Sequence, residues 1–264
     1  MKVYTYWVNK NGSTMPDYIR LCMYTWELAV PNVHVEIINH ENISQYLPAE
    51  LLTESFYKLS LAMQSDVVSV WVLMSRGGIF IDADTIMTGD PFRHSVFQSD
   101  KFVAFGYPER KSIHLAILFS PQPKNPILVE WSREIFRRLS LPLPEPLPWH
   151  YVGNGIVNEI LNNPAAEGYF EIIDAGASGN ILELMSDKED AYLRYIDFYF
   201  STSRLTLEDV LPKVHFNLIS LHNSWTPDPY RQANLEMIVK TKDSIFMSHL
   251  LMHLFDKLSL TNQS

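Results

Sequence analysis

The sequence has 264 residues, 47% of them hydrophobic, which is enough to build the core of one large domain or two small ones. Its 21 Lys and Arg residues against 30 Asp and Glu residues give a formal net charge of −9, which disfavours non-specific binding to nucleic acid. The single cysteine, Cys22, excludes an intrachain disulfide framework and a zinc or iron–sulfur site built from several cysteines. It also fits a reducing compartment such as the cytoplasm.

Membrane-spanning and secretory segments are not expected. No run reaches the roughly 18 to 20 apolar residues that cross a bilayer. The opening residues MKVYTYWVNK are too few and too polar for a secretory signal. We therefore expect either a soluble protein of the cytoplasm or a peripheral one at the inner face of the membrane.

The beginning of the chain predicts a strand, a helix and a second strand. Residues 2–8, KVYTYWV, are rich in the aromatic and β-branched residues that strands favour. After the loop NKNGSTMP, Ile19, Met23 and Trp26 lie at helical spacing, and a Pro-Asn pair ends the pattern. The segment VHVEIIN then alternates as a strand does.

The middle of the chain continues this alternation. SLAMQSDVVSVWVLMSRGG has a broad apolar face and predicts a helix that leads through a glycine pair into a strand over residues 79–81. Residues 85–92 contain turn residues, KFVAFGY and AILFSP predict strands, and PILVEWSREIFRRL predicts a helix. SLPLPEPLPW, with four prolines, predicts an extended connector. Alternating strands and helices predict an α/β fold, here a single domain.

An acidic pair closes the predicted strand in GGIFIDAD, residues 77–84. Carboxylates at Asp82 and Asp84 can converge on one ligand just past a strand end, and oxygen-rich sites suit Mg²⁺ or Mn²⁺. Such an ion can neutralise a diphosphate leaving group. Asp-x-Asp pairs also occur in exposed turns, but the apolar strand, the glycine pair and the helix bearing Asp66 favour the functional interpretation.

At these residues the sequence resembles a known family. SDVVSVWVLMSRGGIFIDAD is similar to the signature of DxD-containing glycosyltransferases of the capsular polysaccharide synthesis type, a group related to yeast outer-chain mannosyltransferases and clostridial glucosylating toxins. The opening residues and the late element ISLHNSW are similar too. The resemblance implies a GT-A-like fold, a Rossmann-like mixed sheet flanked by helices. Within it, residues 1–110 would form the nucleotide-sugar-binding half, 111–243 the acceptor half and closing element, and 244–264 a C-terminal amphipathic helix.

The resemblance also implies roles for particular residues. Asp82, Asp84 and His222 would bind Mn²⁺ or Mg²⁺. The residues implied in catalysis are Asp82, Asp84 and Asp66. Those implied in donor binding are Trp7, Asp66, Asp82, Ser224 and Trp225. The chain departs from the pattern at Ser69, where related sequences commonly have an arginine that contacts the donor.

Structural alternatives stand beside several of these roles. His222 could be a core histidine, and Trp225 or Trp7 a packed aromatic side chain. The segment YVGNGIVNEIL predicts a Gly-rich turn and a helix start, and makes His150, Asn154 and Glu159 substrate-binding candidates or an ordinary helix cap. The C-terminal helix could pack against the domain or lie on a membrane.

We therefore predict a metal-dependent retaining glycosyltransferase. It would move a sugar from a nucleotide-sugar donor, with UDP favoured, to a saccharide or lipid-linked saccharide acceptor in bacterial surface polysaccharide synthesis. Nucleic acid is not an expected partner. Two alternatives stay open: a non-catalytic protein on the same fold that binds nucleotide sugars or carbohydrates, and a metal-dependent phosphohydrolase.

Overall fold

The computed structural model describes residues 2–9, 13–178, 191–200 and 207–261. The chain divides into two compact units whose segments alternate along the sequence. The sheet unit comprises Met1–Val8, His34–Asp82 and His94–Asp174. The helical unit comprises Asn9–Val33, Ala83–Arg93 and Ala175–Ser264. The boundary between Asp82 and Ala83 falls inside the acidic pair, so Asp82 belongs to one unit and Asp84 to the other.

The sheet unit is built on one mixed six-stranded sheet. Its strands are β1 (Lys2–Tyr6), β2 (His34–Ile38), β3 (Gly78–Ile81), β5 (Phe102–Tyr107), β6 (Ser112–Ser120) and β7 (Phe170–Asp174), numbered with β4 (Thr85–Met87) of the helical unit. Their spatial order is β2-β1-β3-β6-β5-β7. β1 is parallel to β2 and β3, β6 is antiparallel to β3 and β5, and β7 is parallel to β5. The predicted mixed α/β sheet is thus confirmed.

The described residues of the sheet unit include four α-helices: α2 (Glu54–Lys58), α3 (Leu61–Arg76), α4 (Pro126–Leu139) and α5 (Asn154–Asn162). α3 packs against β1, β3 and β6, and α5 packs against β6, so that the sheet is flanked by helices. The apolar side chains of α3 and α4 enter a core that includes the fully buried Trp131. Burial of this apolar surface is the main force that holds the helices on the sheet.

The glycine pair between α3 and β3 is required by the backbone. Gly77 ends α3 with a φ of 67°, and Gly78 begins β3 with a φ of 107°, conformations that residues with a Cβ rarely adopt. A Cβ at Gly78 would also lie 2.8 Å from the carbonyl oxygen of Lys2, in the neighbouring strand. The predicted helix–glycine–strand unit is confirmed. The glycine pair fixes where β3 begins, four residues before Asp82.

The helical unit contains six α-helices among its described residues: α1 (Asp17–Ala29), α6 (Ala191–Phe200), α7 (Leu207–Val210), α8 (Asp228–Arg231), α9 (Leu235–Lys240) and α10 (Phe246–Thr261). It also contains a two-stranded antiparallel sheet of β4 and β8 (Leu218–Ser220). Residues 85–92 were predicted only to contain turn residues, and the strand over Thr85–Met87 was not predicted. The reason is a partner more than 130 residues later, with Thr85 opposite Ser220, which local sequence does not reveal.

The C-terminal helix α10 packs within the helical unit, against α1, α6 and α9. Its apolar residues Met247, Leu250, Leu251 and Leu254 are fully buried. These side chains are therefore not available as an apolar face for a membrane. In the part of the chain that the structure describes, no helix is both long and apolar enough to span a bilayer.

Candidate functional site

In the sheet unit, Asp66 lies in the second turn of α3 and faces the loop before α5. A Cβ added at Gly153 would be 2.7 Å from Oδ2 of Asp66, so the loop backbone and the carboxyl group are in close contact. Asp66 retains some solvent access, yet burial raises its pKa to about 8 because the charged form loses most of its hydration. Asp66 is therefore mostly protonated at neutral pH and can donate a hydrogen bond as well as accept one.

Ser69, where related sequences commonly have arginine, is one turn further along α3. It is buried, and its hydroxyl donates to the main-chain carbonyl of Asp66 at 2.9 Å. Arg76 does not replace the missing cation, because its guanidinium lies over the ring of Tyr46 at 4.5 Å and donates to the carbonyl oxygen of Gln45. Both residues thus have structural contacts in the sheet unit.

The loop before α5 brings the predicted substrate residues toward Asp66 to different degrees. Asn154 begins α5, directly after Gly153, and its amide donates to the carbonyl oxygen of Ile113 at 2.7 Å. His150 and Glu159 are exposed. Of the three predicted residues, Asn154 is the one whose neighbour in sequence contacts Asp66.

Trp7 and Asp82 follow two adjacent parallel strands. Trp7 comes directly after β1, and its backbone N–H donates to the carbonyl oxygen of Ile38 at 2.9 Å. Asp82 comes directly after β3, and its N–H donates to the carbonyl oxygen of Ala116 at 2.8 Å. Ligands of open α/β sheets bind outside the carboxyl ends of parallel strands, so both residues lie at the expected edge of the sheet.

In the helical unit, Asp84 is a buried carboxyl group held by the predicted late element. Its Oδ2 accepts the backbone N–H of Asn223 at 2.7 Å. Burial raises the pKa of Asp84 to about 6, and the Asn223 N–H opposes this rise because it stabilises the charged form. The described residues give Asp84 no ion pair with Lys, Arg or His. A buried carboxylate without a cation is a costly arrangement that a bound cation would offset.

The element HNSW, residues 222–225, is packed around an aromatic side chain. The rings of His222 and Trp225 lie 4.5 Å apart at 32°, close to stacked. Tyr195 of α6 contacts both rings, at 5.6 and 5.7 Å between centroids, and its hydroxyl accepts the backbone N–H of His222 at 3.0 Å. Both alternatives for Trp225, packed aromatic or ligand contact, are compatible with its partial burial.

Further hydrogen bonds fix the backbone of HNSW. The Tyr18 hydroxyl of α1 donates to the side-chain oxygen of Asn223. Arg231 donates to the carbonyl oxygens of Asn223, Ser224 and Thr226 at 3.2, 3.4 and 2.7 Å. The Ser224 side chain is exposed. The element is therefore fixed from three sides, by α1, α6 and α8.

Four residues of this arrangement, Tyr18, Tyr195, Asn223 and Arg231, were not among the predicted site residues. Asn223 lies inside the motif that was recognised, so its position was a usable signal. Tyr18 and Tyr195 gave none, because they are single aromatic residues in helices far from residue 222 in sequence.

The predicted metal ligands fall on both sides of the unit boundary, Asp82 in the sheet unit and Asp84 and His222 in the helical unit. Over residues 2–9, 13–178, 191–200 and 207–261, no three His, Cys, Asp or Glu side chains are grouped so that they could hold a metal ion. The ligand set therefore stays a prediction. The observation that fits a divalent cation is the buried, cation-free carboxyl group of Asp84.

The sequence matches one family model, described as "Capsular polysaccharide synthesis protein", over residues 1–137. This is just over half of the chain and includes Asp66, Asp82 and Asp84. The chain belongs to this family. The family predicted from the sequence is thus confirmed, and the predicted glycosyltransferase class agrees with it. A search of the curated proteins gave no significant match.

Solved structures that resemble the chain carry glycosyltransferase names. The PaToxG glycosyltransferase shares 13% identity, with a TM-score of 0.46 and coverage of 95% of this chain and 84% of that one. An active-site mutant of LgtC shares 10% identity, with a TM-score of 0.42 and coverage of 97% and 96%. The galactosyltransferase LgtC, in complex with donor and acceptor sugar analogues, shares 11%, with a TM-score of 0.42 and coverage of 96% and 95%. At these values the classification depends on the family match.

Proposed function

We propose that this capsular polysaccharide synthesis protein is a metal-dependent retaining glycosyltransferase. Its donor would be a nucleotide sugar, with UDP favoured, and its acceptor a saccharide or lipid-linked saccharide of a surface polysaccharide. The observation that best supports an active site is the buried Asp84 carboxyl group bonded to the backbone of HNSW. This hydrogen bond joins Asp84 of the acidic pair and the HNSW element within the helical unit.

The chemistry of the proposed donor site follows from its residue types. Asp84 and His222, with Asp82 as the further ligand inferred from sequence, would hold Mn²⁺ or Mg²⁺. The carboxylates suit the preference of these ions for oxygen ligands, and His222 would add one imidazole nitrogen. When bound, the ion supplies positive charge to a diphosphate leaving group. Ser224 and Trp225 are the proposed diphosphate contacts, because the exposed Ser224 hydroxyl and the Trp225 indole N–H can donate to phosphate oxygens.

Asp66 and Trp7 are the proposed donor contacts in the sheet unit. A carboxyl group that is mostly protonated at neutral pH can donate to one sugar hydroxyl oxygen and accept from another, so Asp66 suits recognition of a neutral sugar. Trp7 offers an aromatic surface at the strand edge for a nucleotide base. His150, Asn154 and Glu159 are the proposed substrate contacts at α5. Residues 1–110 and 111–243 are the proposed donor and acceptor halves.

A non-catalytic nucleotide-sugar-binding protein is the second candidate, and one observation favours it. Ser69 is buried and bonded to the main chain of Asp66, while Arg76 contacts Tyr46 and Gln45, so neither supplies the donor-contacting cation that related sequences have. A protein without this cation could retain binding and lose turnover. Release of nucleoside diphosphate distinguishes the two candidates.

The proposed location is the cytoplasm, and contact with the inner face of the membrane would come through a lipid-linked acceptor. Met247, Leu250, Leu251 and Leu254 of α10 are buried, so they do not form a surface that could contact a membrane.

The experiment is a measurement of nucleoside diphosphate release from UDP-glucose, UDP-galactose, UDP-N-acetylglucosamine and GDP-mannose with Mn²⁺, Mg²⁺ or EDTA. Wild type would be compared with Asp84→Asn and with Asp243→Asn, a matched control at an exposed aspartate of the same unit. We expect metal-dependent release from one donor, lost in Asp84→Asn by a factor of about 100 or more and retained in Asp243→Asn. Equal rates in all three proteins would reject the assignment of Asp84.

A further inference from the structure

The turn before α5 presents a tryptophan to solvent. Tyr151 N–H donates to the carbonyl oxygen of Pro148 at 3.0 Å, so Trp149 and His150 occupy the two central positions of the turn. Trp149 is 68% exposed, more than any other large hydrophobic side chain that the structure describes, and His150 is exposed beside it. Exposure of most of a tryptophan side chain to water is unfavourable, and aromatic side chains of this kind are enriched where proteins bind other molecules.

Side chains of α4 donate hydrogen bonds to the backbone that directly follows the Trp149 turn. The Arg138 guanidinium donates to the carbonyl oxygen of Tyr151 at 2.6 Å, and the indole of Trp131 donates to that of Val152 at 2.9 Å. The backbone N–H of Gly155 donates to the carbonyl oxygen of His150 at 2.9 Å and ties the turn to the start of α5. The exposed ring is therefore carried by a fixed turn, which lowers the ordering cost of binding a ligand there.

Arg138 itself is fixed in this position. Its Nε donates to Glu134 at 2.8 Å, its guanidinium lies 5.3 Å from the ring of Tyr151, and its side chain is only 18% exposed. Charged side chains are seldom buried to this extent without a structural task. Two polar groups of α4, from Arg138 and Trp131, thus stabilise the turn that carries the exposed Trp149.

We propose that Trp149 is a platform on which one pyranose ring of the acceptor saccharide stacks, with His150 available for its hydroxyl groups. A pyranose combines a C–H face, which is apolar, with hydroxyl groups at its edge, and this matches an indole face beside an imidazole. The inference rests on the proposed glycosyltransferase function and names a residue that binds its acceptor. Two residues beyond the turn, Gly153 lies against Asp66, so the platform belongs to the same loop as the proposed substrate contacts.

The acceptor rather than the donor suits this position because of the exposure. A sugar at the reacting centre has to be shielded from water, since water would compete with the acceptor hydroxyl. An indole face that is mostly open to solvent suits a ring of a longer chain that extends away from the reacting centre. A second copy of this chain is the other possible occupant, and the test below separates it.

The test measures saccharide binding without a donor, so that turnover is not needed. Isothermal titration calorimetry or saturation-transfer NMR would use lactose, maltose, cellobiose and N,N′-diacetylchitobiose with wild type, Trp149→Ala, Trp149→Tyr and Tyr169→Ala. Tyr169 is an exposed aromatic control in the same unit. We expect at least one sugar to bind wild type, with Kd raised about tenfold or more in Trp149→Ala and within about threefold of wild type in the other two variants.

Three results would overturn the platform: no binding of any of the four sugars to wild type, unchanged binding in Trp149→Ala, or a wild-type dimer in sedimentation that Trp149→Ala dissociates. Mn²⁺-dependent UDP binding, measured on the same samples, separates this inference from the proposed function. UDP binding retained in Trp149→Ala with sugar binding lost supports both. Sugar binding lost in Trp149→Ala, with no UDP binding even in wild type, supports a saccharide site at Trp149 and rejects the proposed UDP-dependent transfer.

Discussion

The sheet unit and the helical unit hold their candidate residues by different means. In the sheet unit, Asp82 and Trp7 follow regular strands, and close backbone approach at Gly78 and Gly153 sets the geometry. In the helical unit, Asp84 and HNSW lie outside the α-helices, and HNSW forms only a short 3-10 turn over Asn223–Trp225. They are fixed by hydrogen bonds and ring contacts from α1, α6 and α8. The sheet unit depends on glycines, which have no side chain to obstruct the close approach. The helical unit depends on side chains that form hydrogen bonds and ring contacts.

This difference predicts different responses to substitution. Adding a methyl group should damage the sheet unit most, because backbone atoms there have no room to move aside. Removing a hydroxyl group should damage the helical unit most, because its loop then loses a hydrogen bond. The predictions below test the comparison in order of expected size.

Gly78→Ala should lower the free energy of unfolding by about 3 kcal/mol or more, because a positive φ and a backbone clash act together. The matched control is Gly168→Ala, at a φ of 92° but with nothing within 4 Å of the added Cβ. The control should cost only about 1 kcal/mol. Urea denaturation measures both, and equal losses would show that the close approach to Lys2 does not matter.

Asp66→Asn should stabilise the protein, by about 2 kcal/mol at pH 7 once the partial solvent access of Asp66 is allowed for. At pH 4 the carboxyl group is protonated in the folded state and about half protonated in the unfolded state, where its pKa is near the ordinary value of 3.8, so wild type and variant should differ little in stability. As pH rises toward 8, the unfolded carboxyl group ionises while the folded one keeps its proton, so wild type alone loses stability. Above pH 8 the difference should level off.

Urea denaturation of Asp66→Asn and wild type from pH 4 to 9 tests this sign. Asp100→Asn, at an exposed aspartate of the same unit, is the control and should show no such trend. A difference between Asp66→Asn and wild type that stays constant with pH would contradict the raised pKa of Asp66.

Gly153→Ala should cost about 1 to 2 kcal/mol, less than Gly78→Ala, because its Cβ would meet the ends of two side chains, Asp66 and Leu115, rather than backbone. The cost should shrink by about 1 kcal/mol in an Asp66→Ala background, where the closest atom has been removed. A double-mutant cycle in urea measures this coupling. Strict additivity would mean that Gly153 and Asp66 are not in contact.

Tyr195→Phe should lower the free energy of unfolding by about 1 kcal/mol, because the backbone N–H of His222 loses its acceptor. Tyr199→Phe is the matched control, since Tyr199 is buried in the same helix and its hydroxyl has no hydrogen-bond partner in the described part of the chain. The control should be neutral or slightly stabilising. Thermal unfolding followed by circular dichroism measures both, and the reverse order would reject the role of Tyr195.

The elements that local sequence specifies were predicted best. Helix α4 begins at Pro126 and ends at Leu139 as predicted, and α3 ends at the predicted glycine pair because a positive φ favours glycine. Strands whose partners are distant were not. Neither β4 nor β8 was predicted, because their pairing depends on residues far apart in sequence.

The candidate site follows the same rule. Asp82, Asp84 and His222 could be proposed from the sequence because each lies in a short recognisable motif. Tyr195 was missed because its contact with His222 arises only when α6 packs beside HNSW. The division of the chain after Asp82 was missed as well, because nothing in IFIDAD marks a boundary between compact units.

The central claim is that Asp84 and the HNSW element form part of a metal-dependent nucleotide site. Its most direct test is calorimetric titration of UDP into wild type, Asp84→Asn and Asp243→Asn, with Mn²⁺ and with EDTA. We predict UDP binding that requires Mn²⁺, is lost in Asp84→Asn and is unchanged in Asp243→Asn. UDP binding of equal strength in Asp84→Asn, or with EDTA, would contradict the account and leave Asp84 as a buried structural residue.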